Sequence, residues 1–483
     1  MESLIGMLLA LALLIALAYR GISVLLLAPV AALLAVAFSG APLLASYTQV
    51  FMPALGRFIT LYFPLFLLGA VFGKLMEASG AAQALAQGMV RLLGAGRAIL
   101  AVVGACALLT YGGVSLFVVA FAVYPIAVAL FRAAEVPARL IPAAIALGAF
   151  TFTMTAMPGT PAIQNAIPMP YFGTTPFAAP GLGLIASAVM LGVGLLWLGY
   201  RARQAAAAGE GFGVAGDAIA PPVDEAPLRA HAQGAGVDAP EAAPPVVASL
   251  PSPGMALAPI VLVVALNYLL AEVLLPRWDT AYLAEALYGP TDISAVRGVW
   301  AIIVALGAAI VLIAATQYHR LGKLTALLDA GAAASVMPIF NTASLVGFGA
   351  VIASLSGFVL VRDAVLGIAP GNPLISLSVA VNVLAGITGS ASGGMSIALQ
   401  TLGHTYLQLG QAAGISPALL HRVTAIATGG LDALPHNGAV ITLLTISGMT
   451  HRQSYADIAV VAVAGPILAL AVVIALGSLV GTF

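Results

Sequence analysis

Apolar residues run almost without interruption along this chain, and polar positions are confined to a few short stretches. Segments 3–19, 22–38, 59–73, 181–199, 255–275, 296–316 and 458–481 approach the ~20 apolar residues with which a helix crosses ~30 Å of hydrocarbon. With the less regular stretches 80–175 and 324–450, this pattern predicts about 12 membrane segments and an all-α, polytopic membrane protein. Residues 1–19 are apolar enough for a secretory leader, but no basic residue precedes them, so a first transmembrane helix is expected instead.

The pattern breaks between residues 201 and 253. That stretch is rich in Ala, Gly and Pro, lacks a sustained apolar face and carries six acids: Glu210, Asp217, Asp224, Glu225, Asp238 and Glu241. It reads as a solvated, disordered linker between two membrane parts, 1–200 and 254–483. Short signatures recur in order in both parts. Gly112-Gly-Val-Ser115 answers Gly393-Gly-Met-Ser396, Glu135-Val-Pro-Ala-Arg-Leu140 answers Ile415-Ser-Pro-Ala-Leu-Leu420, and Ala156-Met-Pro-Gly-Thr-Pro-Ala-Ile163 answers Ala433-Leu-Pro-His-Asn-Gly-Ala-Val440. Each part then closes on a long apolar helix. Small-residue clusters are common in membrane helices, but an ordered series points to an internal repeat. Paired Gly/Pro interruptions in two halves mark the binding site of a transporter.

Composition sharpens this. Apolar residues make up 62% of the chain and charged ones 7%, and the 17 basic and 17 acidic side chains cancel. Mean hydropathy is +1.10. A neutral chain of this kind is not built for nucleic acid; its partner is the lipid bilayer. Cys106, the single cysteine, lies in an apolar run and reads as a small buried hydrophobe, so no intrachain disulfide or cysteine metal site can form. No set of His, Asp or Glu has metal-ligand spacing, and no Gly-x4-Gly-Lys-Ser/Thr loop is present. Neither a metal, another cofactor nor ATP-driven transport is expected. Arg201 and Arg203 at the end of the first part place the linker in the cytoplasm; Arg57, Arg91, Arg97 and Arg139 do not sort to one side by sequence.

Four polar interruptions remain: 110–115, 151–165, 388–396 and 428–438. Glycine lets backbone unwind or approach a ligand, and proline ends a helix and frees carbonyls. A helix restarting after such a break offers free N–H groups to a carboxylate. For each segment alone the plainer reading is a kinked helix packed through small residues. Together they describe two broken-helix sites facing each other around an anion. Asp432 and His436 in the last interruption are candidates to carry a coupling proton; as alternatives, Asp432 caps a helix or both line an aqueous vestibule. Lys74 with Glu77, and Arg362 with Asp363, read as surface ion pairs, while the histidines His404 and His421, the latter beside Arg422 after a Ser-Pro helix start, read as interfacial or packing groups.

These residues also carry a resemblance. Leu67-Leu-Gly-Ala-Val-Phe-Gly-Lys-Leu-Met-Glu-Ala-Ser-Gly-Ala-Ala-Gln83, the Val136-Pro137 helix start, Thr388-Gly-Ser-Ala-Ser-Gly-Gly394, Gly414-Ile-Ser-Pro-Ala-Leu419 and the 428–438 break resemble gluconate permease-type (GntP) carriers. The resemblance covers most of both membrane parts. It implies a secondary carrier of small organic acids, usually proton-coupled, with inverted repeats and helical hairpins, within the wider ion-transporter superfamily. Those carriers have a His- and Pro-rich first break and an acid in the preceding Gly-rich segment. Here Thr155-Ala-Met-Pro-Gly-Thr-Pro161 and Tyr111-Gly-Gly113 hold neither, and Asp432 and His436 do not keep the family's spacing. A short, less hydroxylated acid such as a hydroxybutyrate fits this more apolar first site better than gluconate.

The expectation is therefore a multi-pass bacterial inner-membrane permease for small organic acids, most simply a proton symporter, with a sodium-coupled carboxylate carrier as the alternative. A homodimer is compatible with it. A membrane-embedded enzyme using His436 with Asp432 has no need of two matched breaks, so the chain is not expected to be an enzyme. The residues expected to hold substrate are Gly113, Ser115, Thr155, Gly159, Thr160, Gln164, Asn165, Ser390, Ser392, Gly393, Gly394, Ser396, Asn437 and Gly438. The helices before residue 78 and those at 255–316 would form the scaffold against which the substrate-bearing bundle moves.

Overall fold

A computed structural model describes residues 2–18, 22–213 and 250–483. The described residues form helices and no strands, as the long apolar runs require: a helix of that length satisfies its own backbone in lipid. Seven helices are long and apolar enough to cross a membrane: α3 (Leu43–Ala78), α7 (Ala138–Thr155), α8 (Pro180–Ala207), α9 (Pro253–Arg277), α10 (Ile293–Thr316), α11 (Leu324–Ser354) and α17 (His451–Val480). The shorter apolar helices are α1 (Glu2–Ala18), α2 (Val24–Ser39), α5 (Ala98–Tyr111), α6 (Leu116–Ala133) and α13 (Pro373–Thr388). The remaining helices of nine or more residues are α4 (Ala81–Leu93), α12 (Phe358–Leu366), α14 (Ala391–Ala412), α15 (Pro417–Leu431) and α16 (Gly438–Ile446).

The expected linker begins later than composition indicated. α8 continues to Ala207, and the chain beyond it stays anchored: Arg139 donates to both oxygens of Glu210 at 2.6 and 2.9 Å, and the Arg132 guanidinium lies 5.0 Å from the Phe212 ring centre. The Arg139 hydrogen bond holds the Glu210 carboxyl below the usual carboxylate range. The expected disorder of the linker falls mainly on 214–249, outside the described residues.

Packing separates two bundles. In one, α3 lies along α11, α1 pairs with α2 and α9 with α10; α2 packs on α11 and α10 on α3, so each half's second helix supports the other half's long helix. In the other, α5 packs on α6 and α7, α13 on α14 and α15, and the two long helices α8 and α17 run together. The first bundle contains the helices before residue 78 and those at 255–316, with α11 added to them.

The second bundle contains two hairpins that enter from opposite ends. The starts of α5, the end of α6 and the last turns of α8 border one groove, lined by Ile99, Ala134 and Gly199 among others, so both far ends of the α5–α6 hairpin lie where the linker leaves. The α13–α14 hairpin begins and ends at the opposite end. There Asn372 Nδ2 donates to Ser478 Oγ at 2.8 Å, Ser416 Oγ to Thr482 Oγ1 at 3.1 Å, and Gly181 N to Phe483 O at 2.8 Å. Turn chemistry matches after each hairpin. Val136 N bonds Phe131 O at 2.9 Å past Glu135 (φ 52°), and Ile415 N bonds Gly410 O at 2.8 Å past Gly414 (φ 68°).

One pairing read from sequence shifts register. Gly112–Ser115 is the tip between α5 and α6, but Gly393–Ser396 lies inside α14; the matching tip is Gly389-Ser390. The ends also differ in charge. Asp457, 1% exposed, accepts from Trp197 Nε1 (3.0 Å), Arg201 Nε (2.8 Å) and Arg139 Nη1 (3.2 Å) at the linker end. Arg91, Arg97, Arg132 and Arg203 belong to the same end, which sorts the arginines that sequence alone left unsorted, Arg57 excepted.

Candidate functional site

Both hairpin tips and both later breaks in the second bundle converge on one cavity of about 210 Å³ between the bundles. Its scaffold wall is apolar: Leu65, Phe66, Gly69 and Ala70 of α3, Leu306 of α10 and Pro338 of α11. The facing wall supplies the polar groups, with Thr110 and Ser115 at the first tip, Thr155 and Gln164 at the first break, Ser390 and Ser392 at the second tip, and Asp432 and Asn437 at the second break. Asp432 is the ionisable side chain on this lining. Gly113 (φ 91°) turns the first tip, a conformation that favours glycine, and its missing Cβ leaves room for Pro161.

The first break, Ala156–Ala178, is held by groups far away in sequence. Arg422 of α15 is fully buried and spends its donors on this segment. Nε reaches Ala178 O at 3.0 Å, Nη1 reaches Thr155 O at 3.1 Å and Asn165 Oδ1 at 3.2 Å, and Nη2 reaches Ala178 O at 2.7 Å and Pro176 O at 3.4 Å. No carboxylate is among these partners, so the charge is solvated by carbonyl dipoles and sits one peptide group behind the cavity wall at Thr155. His421 beside it has Nδ1 2.6 Å from Thr174 Oγ1 and Nε2 3.2 Å from Asn165 Oδ1. Asn165 Nδ2 already donates to Thr160 O and Pro176 O, at 3.0 and 2.9 Å, so its Oδ1 must accept. That arrangement suits a neutral imidazole with its proton on Nε2. The scaffold adds three bonds: Tyr62 Oη donates to Ile167 O at 2.8 Å, Asn267 Nδ2 to Gly159 O at 3.1 Å, and Thr175 Oγ1 to Glu272 at 2.5 Å.

The second break follows the end of α15 at Leu431. Asn437 organises it: Oδ1 caps α16 by accepting from Ala439 N (2.7 Å) and Val440 N (3.2 Å), while Nδ2 donates to Gly389 O at the second tip (2.7 Å). His436 Nε2 lies 2.9 Å from Gly386 O. His451, Tyr455 and Tyr124 reach the carbonyls of Pro435, Ala433 and Ser447 at 2.8, 3.1 and 3.1 Å.

The expected substrate residues thus fall into two groups. Gly113, Ser115, Thr155, Gln164, Ser390, Ser392 and Asn437 line the cavity, together with Asp432. Gly159, Thr160, Asn165, Gly393, Gly394, Ser396, His436 and Gly438 do not. Thr160, Asn165 and Ser396 are fully buried in packing or bracing positions. Gly394 of α14 gives the α13 backbone at Ala385 its close approach, so its smallness serves helix packing. Asp432 and His436 do not share a helical face, because α15 stops before both. Two contributors were missed by sequence reasoning. Thr110 stands in the sequence only as part of an interruption, and Arg422 only as the neighbour of His421; an arginine in the second turn of a membrane helix is the available signal.

The ion pairs Lys74–Glu77 (3.5 Å) and Arg362–Asp363 (2.9 Å) both form, the second at the surface as read and the first mostly buried, with side chains 20% and 14% exposed; Cys106 is buried. Among the described residues, no three His, Cys, Asp or Glu side chains gather into a metal site.

No family model matches the chain. It is 44% identical over 465 residues, 94% of either chain, to a Bacillus subtilis (strain 168) protein described as the uncharacterized transporter YxjC.

Proposed function

The chain belongs to the family of that Bacillus transporter, and from this premise we propose that it is a secondary carrier of small organic acids driven by protons. The observation that carries the reading is the division of the cavity: every polar lining group rides on the bundle of the two hairpins and breaks, and the scaffold presents an apolar wall. A bundle carrying its own polar ligands can shift along such an apolar wall, and the few bonds that must break, those of Tyr62, Asn267, Glu272 and Thr342, come from scaffold residues off the cavity lining. This is the arrangement alternating access needs. The two membrane parts act as inverted repeats, which the opposed hairpins and matched turns support. The arginine-rich linker end faces the cytoplasm of a bacterial inner membrane.

An organic anion in this cavity meets hydroxyls, amides and helix N-termini, with the Arg422 charge behind the first break. It also meets Asp432. Two like charges ~6 Å apart at an effective dielectric of ~20 repel by about 3 kcal/mol. A proton on Asp432 removes that repulsion, so substrate and proton favour each other's binding, and symport follows from linkage. The resemblance to gluconate-type carriers supports the acid class, and the short uncharged first break favours a smaller acid than gluconate.

One observation favours sodium as a second reading. Thr342 Oγ1 and Ser390 Oγ each stand 3.5 Å from Ser392 Oγ, wider than a good hydroxyl hydrogen bond and close to the edge between two ligands of a small cation. Uptake of radiolabelled 3-hydroxybutyrate, lactate and gluconate into proteoliposomes, under separately imposed proton and sodium gradients, tests both. Uptake that ignores the pH gradient and follows sodium removes Asp432 from proton coupling. Uptake of none of the acids under either gradient overturns the organic-acid reading.

A further inference from the structure

Three helices, α6, α14 and the nine-residue α16, begin at the central cavity, and their N-termini are not alike. α14 is capped by Ser390, whose Oγ accepts from Gly393 N at 3.2 Å. α16 is capped twice over by Asn437 Oδ1. α6, 18 residues long, starts after Ser115 with no side-chain cap bond, and Val114, Ser115 and Leu116 line the cavity. Its first amides and the positive end of its dipole are therefore available there.

A second observation is independent of the helix. Two polar atoms on the same lining are buried without a hydrogen-bond partner: Thr110 Oγ1, in a residue 3% exposed, and Gln164 Oε1, in a residue 9% exposed. Buried polar groups are ordinarily paired, and one that is not asks what completes it. Thr110 closes the helix that leads into the first tip, and Gly113 N bonds Thr110 O at 2.9 Å, so hydroxyl and uncapped N-terminus belong to one small turn.

We propose that this turn is the carboxylate subsite: the substrate carboxylate caps α6 and accepts the Thr110 hydroxyl, while Gln164 Oε1 accepts from a hydroxyl on the substrate's carbon chain. The assignment rests on the organic-acid reading and adds an orientation to it. The carboxylate lies at the first hairpin, and the carbon chain extends toward Asn437 and Asp432, so the two acids sit at opposite ends of the cavity. The second tip is less suited to this role, because Ser390 Oγ already accepts from Gly393 N, one of the first amides of α14 that a carboxylate would take.

The test uses the purified full-length protein and calorimetric binding of lactate, 3-hydroxybutyrate and gluconate, each beside its uncharged amide. Ser115→Asp places a carboxylate at the N-cap of α6, where aspartate is among the best caps. It should leave thermal stability unchanged or raised and weaken binding of the acids by at least about tenfold. Thr110→Val should weaken the acids on the order of tenfold and the amides far less, and Thr110→Ser should restore them. If the wild-type protein binds none of the acids, the organic-acid reading falls, and this placement with it. If the wild type binds an acid and both Ser115→Asp and Thr110→Val bind it equally well, the placement alone is overturned. Should Ser115→Asp fail to fold, the Thr110→Val and Thr110→Ser pair decides by the ratio of acid to amide affinity.

Discussion

The two breaks answer each other in sequence, yet they are held by different means. The first is fastened from outside. Arg422 and His421 come from the other half of the chain, and Tyr62, Asn267 and Glu272 come from the scaffold. The second is held by its own bundle, through Asn437, His436, His451 and Tyr455, and it carries Asp432 on the cavity lining. The two breaks thus differ in fastening and in chemistry: the clamped one lines the cavity with neutral groups, and the self-supported one adds the ionisable Asp432. The origin of the asymmetry is local. α15 carries His421-Arg422 a few residues after its start, whereas the matching stretch Ile141–Ala149 of α7 is apolar and buried throughout.

The largest test of this contrast is Arg422→Leu. It would strand the carbonyls of Thr155 and Ala178 in a dry interior and take one donor each from Pro176 O and Asn165 Oδ1, which keep Asn165 Nδ2 and His421 Nε2, and breaking such a buried network costs roughly 3–5 kcal/mol. Thermal unfolding in detergent should show a collapse of stability, with Arg422→Lys intermediate because an ammonium keeps the charge but cannot reach all four acceptors. An unchanged unfolding temperature would mean the first break is not clamped through this side chain.

Asp432→Asn should do the reverse, sparing the fold and removing the coupling. Proton-driven uptake should fall on the order of tenfold, corresponding to ~1.4 kcal/mol of lost linkage, while the unfolding temperature moves little. Retained stimulation by an inward proton gradient would take the proton away from the second break.

Much of this was legible in the chain. Long apolar runs located the membrane helices, and Gly/Pro clusters located both breaks, because lipid punishes unpaired backbone so heavily that polar interruptions stand out. Which polar residues face the cavity was not legible. Asn165 and Asn437 look alike on paper, both amides beside a Pro/Gly break. One is spent on bracing Arg422 and the other lines the cavity, and only the path of the chain after the break decides between them. The register of Gly393-Gly394 was misleading for a related reason. Two glycines serve equally at a hairpin tip and at a helix crossing, and these serve the crossing.

A smaller effect is expected from Tyr62→Phe, which removes one neutral hydrogen bond between scaffold and first break, worth about 1 kcal/mol. Asn267 and Glu272 lie toward the end of α9 away from the linker, so these bonds close the cavity on that side. With a cysteine at Ser115 in a Cys106→Ala background, labelling by an impermeant thiol reagent from the side opposite the linker should rise about fivefold, the ratio that ~1 kcal/mol sets between two conformations. No rise would mean the scaffold bonds do not hold this state.

His436→Gln should have the smallest effect, and it separates the two candidates for the coupling proton. The His436 ring is half-buried behind the second tip, off the cavity lining, with Nε2 on the Gly386 carbonyl. Glutamine keeps an N–H donor at similar reach, so the expected cost in stability is below about 1 kcal/mol, and the second tip should stay in place. Because the side chain does not meet the substrate, the pH dependence of uptake should match that of the wild type, in contrast to Asp432→Asn. If uptake by His436→Gln loses its pH dependence while Asp432→Asn keeps it, the division of labour within the second break is reversed: the carboxylate would be structural, and the imidazole would carry the proton from behind the wall.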